Sequence, residues 1–145
     1  RSNVENLTDP KRKFIIGQGI VLNKGEKTCV VSTGMQTSIA FKAVKNLKNQ
    51  GINATLIHMP SIKPLDVKLL IKNAKKHETI ITFEDHNIIG GLGSAVSEIL
   101  SENQPIKVIR MGVKDIIGRS GEADQLIKKY NIDEKALTTQ IKKVY

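Results

Sequence analysis

Thr82-Phe83-Glu84-Asp85-His86-Asn87-Ile88-Ile89-Gly90-Gly91-Leu92-Gly93-Ser94-Ala95-Val96 carries a strand, a turn and a helix start in fifteen residues. The segment leading into it, Thr79-Ile80-Ile81-Thr82-Phe83, is apolar and β-branched, as a strand buried on both faces must be. Polar residues close the strand and glycines turn the chain. Leu92, Ala95, Val96, Ile99 and Leu100 then recur at the spacing of one helix face. A strand that passes through a short turn into an amphipathic helix is the building block of a parallel sheet.

The same unit recurs on both sides of this stretch. Upstream, Thr28-Cys29-Val30-Val31-Ser32 reads as a buried strand. Met35 to Asn49 follows as an amphipathic helix with Ile39, Ala43, Val44 and Leu47 inward, stopped by Gly51 with Ile52 as the apolar contact beyond. Ala54 to Met59 is a second strand ended by Pro60. Lys63-Pro64-Leu65-Asp66 opens the next helix, with Pro64 expected near the first helical position, Asp66 in the first turn, and Lys75, Lys76 and His77 in the last. Downstream, Ile106 to Met111 is a fourth strand, Gly112 to Gly121 a loop, and Glu122–Tyr130 and Glu134–Val144 are helices. Gly17 and Gly19 precede the short run Ile20-Val21-Leu22, which is expected to pair antiparallel with the Thr28–Ser32 strand through the turn at Asn23–Glu26. The alternation predicts an α/β fold: a three-layer α/β/α sandwich on a mostly parallel sheet with one short antiparallel edge strand. Residues 1–145 read as a single domain with 1–14 as an irregular lead-in.

Composition narrows the function classes. Two Tyr, three Phe and no Trp leave the core to aliphatic residues and offer few platforms for stacking single-stranded bases. Cys29 is the single cysteine, which excludes an internal disulfide, and its apolar neighbours suggest a buried thiol. No apolar run reaches the ~20 residues that cross a bilayer, and no secretory signal is visible. The expected compartment is the cytoplasm, with no membrane partner. The chain starts at Arg1 rather than Met, which suggests an excised domain or an incomplete chain. The net charge of +9 is concentrated in residues 1–50 (nine basic, three acidic) and 101–145 (nine basic, six acidic). Basic charge attracts nucleic acid or phosphates, but these lysines fall at helical spacing without a nucleic-acid motif, so solvated helix faces and no nucleic-acid partner are expected.

Strand ends are where such sheets bind ligands, so Glu84, Asp85 and His86 are weighed first. Three consecutive residues point in different directions and cannot easily share a metal. Ser32 and Ser94 do not sit in the Gly-x-Ser-x-Gly elbow of a hydrolase. Gly90-Gly91-Leu92-Gly93 before a helix could present N–H groups to a phosphate, although it matches neither dinucleotide nor P-loop spacing. The same glycines equally serve a tight turn with close backbone packing, or a protein interface. His58 reads as a satisfied core or edge histidine. Arg119, in Gly118-Arg119-Ser120-Gly121, reads as part of a solvated loop.

Taken in order, several segments resemble the C-terminal domain of transketolase, and more closely the C-terminal subunit of split transketolases. They are Gly17-Gln18-Gly19-Ile20-Val21-Leu22, Val30-Val31-Ser32-Thr33-Gly34, Ser61-Ile62-Lys63-Pro64-Leu65-Asp66, Glu84 to Val96, Gly112-Val113-Lys114-Asp115 and Ser120-Gly121. Related domains occur in deoxyxylulose-phosphate synthase and in the beta subunits of 2-oxo acid dehydrogenases. The resemblance implies an enzyme that moves a two-carbon ketol unit between sugar phosphates, using thiamine diphosphate and a divalent cation. It implies that neither is bound by this domain alone, since the family's Gly-Asp-Gly metal motif and pyrimidine-activating glutamate segment are absent here. The partners implied are the pyrimidine-binding and diphosphate-binding domains, in a homo-oligomer, and the isolated chain is expected to be inactive. Arg1-Ser2-Asn3-Val4 resembles the family's Arg-x-Asn-hydrophobic segment, whose arginine grips the sugar phosphate; Glu5 stands where the family often has Pro. The resemblance recasts Glu84, His86, Gly90, Gly91 and Gly93 as interface residues rather than catalytic ones.

Overall fold

The computed structural model describes residues 6–145, so Arg1 lies outside the described residues. The strands are β1 (Ile20–Asn23), β2 (Lys27–Ser32), β3 (Thr55–His58), β4 (His77–Asn87) and β5 (Lys107–Val113). They form one sheet in the order β1-β3-β2-β4-β5. β2 pairs in parallel with both β3 and β4, and β4 with β5. The helices are α1 (Gln36–Lys48), α2 (Val67–Ala74), α3 (Leu92–Asn103), α4 (Ala123–Lys129) and α5 (Glu134–Val144).

The two-residue period of a strand explains the layers. Along β2, Val30 belongs to one core, while Cys29 and Val31 belong to the other. In β4, Ile81 and Phe83 face the first core and Ile80 the second. The first core is closed by Ala40, Val44 and Leu47 of α1 and Leu137 and Ile141 of α5. The second is closed by Leu70 of α2 and Leu92, Val96 and Leu100 of α3. Both faces of the central strands are therefore dry, which is why their sequences are apolar without alternation. Cys29 is fully buried, and burial pushes its thiol pKa well above the ordinary value.

The strand order places α1 and α2 on opposite faces. The chain leaves β2 in one direction to reach β3, then crosses back past β2 to reach β4. The carboxyl ends of β2 and β4 thus form the switch point of a doubly wound sheet.

Three local expectations are corrected. β1 runs antiparallel to β3, not to β2, with Ile20 opposite His58 and Val21 opposite Ile57. Both edges of β2 are already filled by parallel neighbours, so the only open edge within reach of β1 belongs to β3. Pro64 does not enter the helix: α2 starts at Val67, and Asp66 is its N-cap, accepting from Leu69 N at 2.9 Å. The other Asp66 oxygen accepts from Gly19 N at 3.0 Å and ties the entry of β1 to this cap. His77 starts β4 instead of ending α2. Its ring bridges Asn73 O (2.7 Å) and Thr55 Oγ1 (2.8 Å), contacts that fix where the strand begins.

His58 closes β3 half-buried, its Nδ1 2.8 Å from Thr37 Oγ1. Ser32 Oγ donates to that same threonine oxygen at 3.1 Å, leaving the threonine proton free for a neutral imidazole. Loss of solvent lowers the His58 pKa below its ordinary value. The unfolded chain therefore binds a proton more readily than the folded chain. Stability from this residue is present above about pH 6.5 and is lost as pH falls through the lowered folded value. Thermal midpoints measured between about pH 8 and 5 should decline toward acid, and His58→Gln should flatten that decline.

Candidate functional site

The turn between β4 and α3 holds the residues singled out in the sequence. β4 runs on to Asn87, so Glu84, Asp85 and His86 are strand residues rather than loop residues. Alternation along the strand separates them. Glu84 is 1% exposed, whereas Asp85 and His86 face solvent.

Glu84 turns under the glycines. Its carboxylate accepts from Leu92 N at 2.7 Å and from Gly93 N at 2.8 Å. The N-cap of α3 is Gly91, which has no side chain to accept these bonds. Glu84 supplies the missing acceptor from the adjacent strand and places negative charge at the positive end of the helix. This contact dictates the sequence above it. A Cβ on Gly91 would collide with the Glu84 carboxylate and approach Asn87 O to 2.8 Å. Gly90 has φ +78°, a left-handed conformation that lets the chain fold back over the carboxylate. Gly93 is buried against Arg110 and Thr82.

Ser94, Arg110 and Asn87 lock the turn. Ser94 Oγ accepts from Gly90 N at 2.9 Å and donates to Ile88 O at 3.1 Å. Arg110 Nη1 donates to the same carbonyl at 3.0 Å. Ile89 N donates to Asn87 Oδ1 at 2.8 Å. The sequence named Ser94 only as a candidate nucleophile and Arg110 only as a strand residue. The available signal for their roles was the smallness of Gly93, which admits Arg110 against the helix.

What remains outward is His86 and the tip of the turn. The His86 Nδ1 lies 3.0 Å from Asn87 O, so Nδ1 carries the proton and Nε2 faces out. Ile89, at the tip, is 58% exposed. Of the expected interface residues, His86 and Gly90 can meet a neighbour directly. Glu84, Gly91 and Gly93 act through the shape they give the turn. His58 belongs to the separate Ser32–Thr37 network on β2, β3 and α1. No helix among the described residues is long and apolar enough to cross a membrane.

The fold and the turn define the class: a doubly wound α/β domain in which the N-terminus of α3 is capped by a carboxylate from the adjacent strand. Residues 17–137 match the family model described as the C-terminal domain of transketolase. The chain belongs to that family. It is 40% identical over 129 residues to a Methanocaldococcus jannaschii protein provisionally named a transketolase C-terminal section, covering 88% of this chain and 40% of that one. It is 35% identical over 136 residues to the 1-deoxy-D-xylulose-5-phosphate synthase of Caldanaerobacter subterraneus subsp. tengcongensis, covering 93% of this chain and 22% of that one. Among solved structures, a split-gene transketolase in an inactive beta4 tetramer superposes with a TM-score of 0.92 at 38% identity, covering 99% of this chain and 47% of that one. The chain thus spans less than half the length of these relatives.

Transketolases and deoxyxylulose-phosphate synthases are thiamine diphosphate enzymes, and the β4–α3 turn does not fit the diphosphate of that cofactor. A bound diphosphate needs N–H donors and a cation. The leading N–H groups of α3 are already taken by Glu84. Among the described residues, no three His, Cys, Asp or Glu side chains gather to hold a metal ion. The same carboxylate occupies the Leu92 and Gly93 N–H groups that the sequence offered to a phosphate.

Glu84→Ala orphans two helix N–H groups in a dry site. It should cost about 3 kcal/mol in urea unfolding, with Glu84→Gln, which keeps one acceptor, costing roughly half as much. Amide exchange should rise first at Leu92 and Gly93.

Proposed function

We propose that this chain is the C-terminal assembly domain of an enzyme of the transketolase class. The enzyme transfers a two-carbon ketol unit between sugar phosphates. The observation that carries the proposal is the superposition of 99% of the chain on the split-gene transketolase at 38% identity. Thiamine diphosphate and a divalent cation are held by the pyrimidine-binding and diphosphate-binding parts of the complete enzyme. This domain contributes contact surface and, through Arg1, a grip on substrate phosphate. The enzyme works as a homo-oligomer in the cytoplasm, within the pentose phosphate pathway.

A second reading is the C-terminal domain of a deoxyxylulose-phosphate synthase. The 35% identity to such an enzyme across 93% of the chain supports it. The two readings separate by product. Reconstitution with pyrimidine- and diphosphate-binding chains, thiamine diphosphate and Mg²⁺ should give ketol transfer from a ketose phosphate to an aldose phosphate. Formation of 1-deoxy-D-xylulose 5-phosphate instead would select the second reading.

Arg supports phosphate binding because its planar fork makes paired, charge-assisted hydrogen bonds. In the reconstituted enzyme, Arg1→Ala should raise KM for the phosphorylated substrate by about tenfold or more, with the KM effect larger than the kcat effect. His86→Ala should weaken assembly, read by analytical ultracentrifugation, while turnover per assembled site stays near that of the unmodified enzyme. Collapse of turnover with assembly intact would remove His86 from the interface.

A further inference from the structure

A hollow runs along β5, on the side of the sheet that faces α5. Its volume is about 910 Å³. Ile109, Arg110, Met111 and Gly112 all line it. Successive side chains of a strand point to opposite faces. Four consecutive residues can share one cleft only where it runs along the strand's backbone edge. β5 is the last strand of the sheet and pairs only with β4, so among the described residues its outer row of N–H and C=O groups has no strand partner. The opposite wall is the α4–α5 connection and the exposed side of α5.

The charge of the cleft is one-sided. Lys114, Lys128, Lys135 and Lys143 surround it, while the Arg110 guanidinium is turned to the Ile88 carbonyl of the β4–α3 turn. Asp133, the single carboxylate in the lining, is already engaged by Ala136 N at 2.8 Å. Between the cations, Ile109 and Met111 are only half-buried and give the floor an apolar strip. Tyr130 joins the cleft to a second hollow of about 310 Å³ lined by Ile116 and Ile117, and Ile117 is 95% exposed.

We infer that this edge is a docking groove for an extended, acidic segment of a partner protein, which adds to the sheet as a sixth strand beside β5. The backbone edge supplies main-chain hydrogen bonds, and the apolar strip and Ile117 hollow receive alternate side chains. The cations select the partner's charge. A second copy of this chain is the wrong occupant. It would bring the same lysines to the joint, and its net charge is also +9. Cations on an open edge block self-pairing for that reason. The inference is independent of the proposed ketol transfer.

The test uses the 145-residue chain and a fluorescein-labelled peptide of alternating Glu and Val, about eight residues long, matched to the length of a strand. Fluorescence anisotropy should report binding that weakens with salt, and amide exchange should slow at Ile109–Gly112. The double variant Lys114→Glu, Lys143→Glu should weaken binding about tenfold. Both lysines are exposed, so the variant should keep the fold, which its thermal midpoint checks. The same peptide N-methylated at alternate residues keeps its charge but loses strand donors, and it should not bind. Equal binding of the methylated peptide would reduce the groove to charge adsorption and overturn the inference. So would absence of binding by the unmodified peptide, or stronger protection of the same amides by a single-stranded oligonucleotide.

Discussion

The Glu84 carboxylate on the N-terminus of α3 is the contact around which the carboxyl edge of this sheet is organised. A helix that begins at a glycine has N–H groups with no local acceptor, and burying them unpaired would be costly. One carboxylate on β4 meets two of them at once. The cost of burying its charge is offset by charge-assisted hydrogen bonds and the helix dipole. Its position then forces Gly91 to be small and shapes the backbone reversal at Gly90. A turn that resembles a phosphate cradle in sequence is, in three dimensions, a cradle already filled.

That substitution leaves the strand end at the usual ligand position of a doubly wound sheet with its Leu92 and Gly93 N–H groups already satisfied from within. The polar residues that would read out a ligand divide by strand alternation into an inward set and an outward set. Glu84 is consumed inward, and Asp85 and His86 are left on the surface. Ser94 and Arg110 stiffen the turn through the Ile88 carbonyl. A stiff, outward-facing turn suits contact with another domain, because little conformational entropy remains to be lost on docking.

Much of the fold was legible because the relevant signals are local. Val30 and Val31 mark β2, and Ala43, Val44 and Leu47 mark α1. Gly51, at φ +81° and followed by the Ile52 N to Leu47 O bond, ends that helix as its sequence suggests. The misplaced elements failed for non-local reasons. Nothing within Ile20–Leu22 states that β2 has no free edge. Nothing near His77 reveals Thr55, which lies 22 residues away and helps draw that histidine into β4. Pro64 carried a generic helix-start preference, but Asp66 held the stronger local signal, a side chain able to cap Leu69.

The sequence by itself determined the class, the order of elements and the family, because apolar periodicity and glycine placement are encoded residue by residue along the chain. Tertiary structure alone decided which strand β1 joins, what Glu84 is for, and where a sheet edge without a strand partner among the described residues faces a row of lysines. Each of these depends on residues distant in sequence meeting across the sheet. Hydrogen-bond partners and shared electrostatic fields are properties of that meeting, and no single segment contains them.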